Sequence, residues 1–286
     1  MDKKITSVYE DYKNGHLSRR DFISKLSMVA GSTAAAMALL PVLEDNSLKA
    51  APSGQDYPGL KTEFIQYPGA TGQIKAYLAY PAEGKKFPAV LVIHEIFGLN
   101  EHILDVTRRF AREGFLAMAP DALSPDGGTP QNDPEKAVSM MRGLDQEKTI
   151  KNFVAAVEFL KTNPLSTGKV GCTGFCWGGG MTNQVAVNCP DLDAAVPYYG
   201  MQPSAEDVEK IKAPIMAHYG ATDSRIDAGI PAFEAALKKY HKEYKIYIYE
   251  GAGHAFNNDT NKDRYNEKAA KLAWKRTIDF FKEKLE

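Results

Sequence analysis

Cys176 stands in the run Gly174-Phe175-Cys176-Trp177-Gly178-Gly179-Gly180, with a glycine two positions away on either side. A thiol in that setting suits acyl transfer, in which sulfur attacks a carbonyl carbon and briefly carries the acyl group. The glycines have a physical reason: a sharp strand-to-helix turn pushes its central residue toward positive φ, and side chains two residues away would collide with it. Such a turn lifts the thiol above the end of a strand. The helix that follows offers unpaired N–H groups and the positive end of its dipole, which favour a thiolate and a developing oxyanion. Taken alone, the spacing also fits a turn around a buried cysteine, so the flanking elements decide.

A cysteine nucleophile needs a base. Of the six histidines, His254 lies in Gly251-Ala252-Gly253-His254-Ala255-Phe256, a flexible loop after the last predicted strand, from which an imidazole can reach across to the sulfur. His16 falls in the leader, His102 and His241 in polar helical settings, and His218 inside a strand. An orienting carboxylate belongs in a loop between nucleophile and base, where Asp223 in Tyr219-Gly220-Ala221-Thr222-Asp223 stands; Asp227 and Asp259 are the alternatives. Cys172 and Cys189 read as small buried hydrophobes, and three cysteines without CxxC spacing do not suggest zinc. His94, Glu95 and His102 do not form HExxH, and no GxGxxG or Walker pattern follows a suitable strand. The expected chemistry therefore uses neither metal nor organic cofactor.

The elements that must hold these residues alternate. Strands are predicted at 63–67, 74–80, 89–94, 115–119, 169–173, 194–198, 214–219 and 245–249, and helices at 102–112, 146–162, 177–188, 231–239 and 266–284. That is the signature of an α/β fold with a mostly parallel eight-stranded sheet and helices on both faces. Residues 89–93 and 214–216 are continuously apolar, as central strands require, whereas the first two candidates alternate and read as edge strands. The loop between Pro120 and Pro134, rich in Gly, Pro and Asp, is expected to rim the site.

At 286 residues, 44% hydrophobic, the chain is long enough for one such domain, at residues 61–286. Its 35 basic residues nearly balance 36 acidic ones, so no global field favours nucleic acid or an anionic membrane. Residues 1–50 read as a signal or appendage and 51–60 as a linker. Ser18-Arg19-Arg20-Asp21-Phe22 precedes a weakly apolar stretch from Leu26 to Leu43, which resembles a twin-arginine export signal more than a membrane-spanning helix of about 20 apolar residues. Ala50 and Ala51 offer a junction for cleavage. The expectation is a periplasmic or otherwise exported protein that engages the twin-arginine machinery; the alternative is a cytoplasmic protein with a retained N-terminal helix.

From Thr62 to Lys284 the chain resembles the dienelactone hydrolase family of α/β-hydrolases. The likeness rests on His94-Glu95-Ile96-Phe97-Gly98-Leu99-Asn100, the Gly-Phe-Cys-Trp-Gly-Gly turn, the Asp223 loop and Gly-x-Gly-His. The order Cys176, Asp223, His254 is that of α/β-hydrolases. The resemblance implies that Glu95 contacts the resting thiol and moves when substrate activates it, and that the N–H groups of Ile96 and Trp177 form an oxyanion hole. His94 would orient that loop. Members acting on the carboxylate-bearing dienelactone carry an arginine shortly after the catalytic histidine, where this chain has Asn257, Asn258 and Asp259. The clamp is absent there; Arg225 is an alternative cation or a salt-bridge partner. Phe97, Tyr199, Arg225 and Asn258 are the expected substrate contacts, and Phe97, Trp177, Tyr198 and Tyr199 form either pocket lining or core.

The implied function is hydrolysis of a small-molecule carboxylic ester or lactone through a Cys-His-Asp triad and a thioester. A catalytically silent ligand-binding protein on the same scaffold is the alternative, because fold alone does not guarantee turnover. A thiol-based redox protein would need a resolving cysteine, and none is evident.

Overall fold

A computed structural model describes residues 8, 11–12, 17–30 and 58–286. The chain divides into two compact units, Met1–Asp56 and Tyr57–Glu286. In the first, helix α1 (Arg19–Ala30) opens at the arginine pair. Ser18 caps it: its Oγ accepts the Asp21 N–H at 3.2 Å and donates to Asp21 Oδ2 at 2.6 Å. The apolar stretch beyond Ala30, the junction at Ala50 and the linker at 51–57 lie outside the described residues. Among those described, no helix is long and apolar enough to cross a membrane.

The second unit carries one eight-stranded sheet: β1 (Leu60–Gly69), β2 (Gly72–Pro81), β3 (Phe87–Ile93), β4 (Leu116–Pro120), β5 (Ser166–Phe175), β6 (Ala194–Tyr198), β7 (Ile215–Gly220) and β8 (Tyr244–Tyr249). Their spatial order is β1-β2-β4-β3-β5-β6-β7-β8. β2 runs antiparallel to both neighbours, and every pair from β4 to β8 is parallel. β1 is an edge strand as its alternation suggests. β2, expected at an edge, lies inside the sheet against β4, and the second edge is β8.

The crossovers are α2 (Glu101–Arg112), α3 (Pro134–Arg142), α4 (Gln146–Thr162), α5 (Trp177–Asn188), α6 (Ser224–Asp227, a single turn), α7 (Ile230–Lys239) and the last helix α8 (Glu267–Leu285). Side chains alternate across β3: Ala89, Leu91 and Ile93 pack with Phe153 and Leu160 of α4 and Val185 of α5, while Val90 and Val92 pack with Phe110 of α2 and Phe281 of α8. A strand covered on both faces must be apolar throughout, which explains the unbroken run. Helix starts follow side-chain caps, with Asn100, Asp145 and Asn266 each accepting the N–H three residues on. Helix α3 was not expected. Asp133 caps it through the Lys136 N–H at 2.9 Å, and Pro134 fills its first turn.

Candidate active site

β5 ends at Phe175 and α5 begins at Trp177, leaving Cys176 alone at the turn with φ 56° and ψ −115°. A Cβ on Gly178 would strike the carbonyls of Ile93 and His94, and one on Gly174 would strike the carbonyl of Gly178. The turn is thus packed backbone against backbone. The Cys176 N–H donates to the Tyr198 carbonyl at 3.1 Å and so ties the bend to the end of β6. Tyr199 (φ 37°) and Ala255 (φ 65°) also hold positive φ, a cluster of strained backbone around one sulfur.

His254 comes to this thiol from the loop after β8. Its Nε2 lies 3.0 Å from Cys176 Sγ, and its Nδ1 lies 2.5 Å from Asp223 Oδ2. The carboxylate only accepts, so Nδ1 carries the hydrogen and Nε2 turns its lone pair to the thiol. Asp223 itself is buried and sits just before α6. The remaining candidates lie elsewhere. His218 is buried in β7 between the Tyr249 hydroxyl and Thr277 Oγ1, and burial, aided by Arg276, drives its pKa down to about 3. His102, expected in a polar setting, is buried, with its Nδ1 3.5 Å from Asp259. Asp259 is engaged by Arg109 at 2.6 Å. Asp227 faces neither the imidazole nor a hydrogen-bond partner at Oδ1.

Electrostatics hold the resting group as a thiol. Burial, reinforced by the nearby Glu95 charge, pushes the Cys176 pKa up to about 11, against the opposing pull of the Trp177 N–H and Arg225. The helix-end N–H of Trp177 favours the thiolate as expected, but desolvation outweighs it. Glu95 is 3% exposed, and burial raises its pKa to about 7 in spite of the Asn258 hydrogen bond and Arg264.

A cavity of about 530 Å³ opens beside the sulfur. Ile96, Trp177, Tyr199 and Arg225 line it, together with Met141 and Arg142 of α3, Leu144, Gln146 and Thr149 around the start of α4, Met181 and Gln184 of α5, and Met201, Gln202 and Ile226. Two arginines and no acidic side chain face the space. Arg225 Nη1 lies 3.7 Å from Met201 Sδ. The expected substrate contacts thus divide. Tyr199 and Arg225 line the cavity; Phe97 is 44% exposed outside it, and Asn258 is buried with its amide on Glu95. Tyr198 is core, its hydroxyl 2.6 Å from Thr277 Oγ1. The 120–134 loop does not supply the rim; α3 and the start of α4 do. Among the described residues, no group of three His, Cys, Asp or Glu side chains could hold a metal.

A sheet of this order, with its second strand reversed and a strained turn after the fifth, defines the α/β-hydrolase fold. Within that class the profile of the dienelactone hydrolase family matches residues 74–285, and the chain belongs to this family. A "Putative carboxymethylenebutenolidase" of Saccharolobus solfataricus is 36% identical over 256 residues, spanning 76% of this chain and 97% of the relative. One of the same description from Methylorubrum extorquens is 34% identical over 283 residues, spanning 93% and 95%. The crystal structure of a "Putative Dienelactone Hydrolase" from Klebsiella pneumoniae superposes with a TM-score of 0.69 at 28% identity, covering 78% of this chain and 98% of that one.

Proposed function

We propose that this ester or lactone hydrolase works through a covalent thioester on Cys176, with His254 as base and acid and Asp223 as the group that orients it. The observation that carries the reading is the continuous line from Asp223 Oδ2 through both ring nitrogens of His254 to Sγ. As sulfur attacks the carbonyl carbon, its proton passes to Nε2, and the new oxyanion is met by the N–H groups of Ile96 and Trp177. Collapse of the intermediate breaks the bond to the alcohol oxygen, which leaves with the proton from Nε2. Water then gives a proton to Nε2 and attacks the thioester, and the sulfur departs as the acid forms and is reprotonated. A resting thiol with a raised pKa suits this route, in which the proton leaves sulfur as the carbonyl is attacked.

The same reading has Glu95 keeping the empty site quiet, since its carboxylate disfavours the thiolate. The cavity's two arginines and lack of acids favour substrates that carry a negative group. For residues 1–50 the reading is a twin-arginine signal followed by a linker to residue 60, with export of the folded hydrolase domain. Its support is the Arg19-Arg20 pair and the weakly apolar stretch after it.

The deciding experiment runs lactones, aryl esters and thioesters against the wild type, Cys176→Ser and Cys176→Ala, with iodoacetamide labelling in parallel. Selective alkylation of Cys176 that abolishes turnover is expected. An inert thiol, with Cys176→Ala still binding ligand tightly, would instead identify a binding protein on this scaffold. A reporter fused after residue 57 tests the address: export lost on changing Arg19 and Arg20 to lysine is expected, and retention in the cytoplasm of the unaltered fusion would refute it.

A further inference from the structure

The direction of one backbone N–H at the site is set by a side chain on the far side of its own peptide. A trans peptide is planar, with carbonyl and N–H pointing opposite ways. Whatever holds the Glu95 carbonyl therefore also aims the Ile96 N–H. His94 Nδ1 lies 2.7 Å from the Glu95 oxygen, and the Gly98 N–H donates to the same oxygen at 3.2 Å.

A carbonyl only accepts, so Nδ1 bears the hydrogen. Nε2 accepts the Ala122 N–H at 3.1 Å and so bears none. The two bonds together admit a single neutral tautomer. His94 is fully buried, which disfavours its charged form. The flat side of its ring lies along Trp177, with centroids 5.4 Å apart and planes 14° from parallel.

The Ala122 segment is held in turn. Asp121 Oδ1 accepts the Leu123 N–H at 3.0 Å and the Thr129 hydroxyl at 2.7 Å, and Oδ2 accepts the Thr129 N–H at 2.7 Å. Thr129 Oγ1 accepts the Leu99 N–H at 2.9 Å. The loop after β4 and the loop after β3 are thereby locked at two points, His94–Ala122 and Thr129–Leu99.

We propose that His94 is a positioning residue for the oxyanion hole: its Nδ1–H tautomer, selected by the Ala122 N–H, fixes the Glu95–Ile96 peptide so that the Ile96 N–H meets the substrate's developing oxyanion, with Asp121 and Thr129 holding the two loops in register. This rests on the thioester reading above. It also accounts for a buried histidine that neither binds the thiol nor faces the cavity.

The test pairs chemistry that forms an oxyanion with chemistry that does not. In the full-length protein, His94→Leu should lower kcat for an aryl ester about 10- to 100-fold with KM within about twofold. The rate of Cys176 alkylation by iodoacetamide, which builds no oxyanion, should stay at the wild-type value. Thr129→Val should shift kcat in the same direction by a smaller factor, and Thr129→Ser should restore it. In the wild type, ¹⁵N NMR should show His94 with a protonated Nδ1 and a bare Nε2.

The opposite tautomer overturns the proposal. So does a folded His94→Leu with unchanged kcat, or one whose alkylation falls in step with turnover. If His94→Leu does not fold, the tautomer and the Thr129 pair decide, and an unchanged kcat in Thr129→Val counts against it. Failure of the thioester reading shows separately, as ester turnover that survives Cys176→Ala.

Discussion

Asn258 Nδ2 donates to Glu95 Oε2 at 2.8 Å, joining residues 163 positions apart inside the wall of the site. The bond favours the charged carboxylate and so opposes the burial that raises the Glu95 pKa to about 7. Replacing Asn258 with alanine removes that opposition. We expect the Glu95 carboxyl to titrate above 7 in Asn258→Ala, followed by ¹³C NMR with Glu95→Gln assigning the signal. A titration moved downward would mean that Asn258 holds the protonated form instead.

The same carboxyl links stability to pH. An unfolded glutamate releases its proton near pH 4.5 and folded Glu95 near 7, so between these values the folded state binds more protons. Stability present below pH 4.5 is therefore lost as the pH rises through 7, by about 3 kcal/mol at 1.36 kcal/mol per unit. Glu95→Gln abolishes this dependence. Urea denaturation at pH 5 and pH 8 should show a smaller drop for the variant than for the wild type; equal drops would show that Glu95 ionises freely in the folded protein. The variant should also alkylate faster at Cys176 at pH 8, because a charge that disfavours the thiolate is gone.

Asp223 accepts from His254 Nδ1 and thereby fixes which nitrogen faces the sulfur. An asparagine in its place can donate to Nδ1 and stabilise the other tautomer, whose Nε2–H could not take the thiol proton. We expect Asp223→Asn to lower kcat on the order of 10³- to 10⁴-fold with little change in KM. A loss below about tenfold, measured on the same aryl ester, would remove Asp223 from the proposed line.

Much of this framework is legible in the sequence, and the exceptions have identifiable causes. The eight strands declare themselves through alternation or unbroken apolar runs, and the Gly-flanked cysteine is legible as a nucleophile turn because a predicted strand precedes it and a predicted helix follows. The place of β2 inside the sheet is not visible, because alternation reports which face of a strand is covered and not which strand lies beside it. Helix α3 was hidden by Pro134, which reads as the end of a loop although a proline just after a capping aspartate also marks a helix start. Met141 and Arg142, which form one wall of the cavity, lie in that helix. Asn258 follows His254 closely and so reads as a substrate contact. The chain turns at Ala255, at φ 65°, and the amide ends on Glu95 instead. The thiol's protonation was a contest between a helix dipole visible in sequence and a degree of burial that only the packed structure reveals.

The two arginines of the cavity allow a test of substrate charge. Arg142 sits at the end of α3 and Arg225 in α6, and no carboxylate lines the space between them. An anionic group on the substrate can pair with a guanidinium, whereas a neutral ester of the same size would meet only uncharged lining, the apolar Ile96, Leu144 and Trp177 and the polar Gln146, Thr149, Gln184 and Gln202. Loss of one charge-assisted hydrogen bond is worth about 1.5–3 kcal/mol, or roughly 10- to 150-fold in affinity. We therefore expect Arg225→Met and Arg142→Met each to raise KM for an acid-bearing aryl ester by at least about tenfold, and to leave KM for its methyl ester within about twofold. Equal effects on the two esters would mean that the guanidinium stems pack against substrate without reading its charge. Because Arg225 also favours the thiolate, its variant should lower the rate of Cys176 alkylation slightly. The thiol's pKa is set by burial, Glu95, the Trp177 N–H, Arg225 and Asp223, so Arg142→Met should leave that rate unchanged, which separates binding of the substrate's charge from activation of the sulfur.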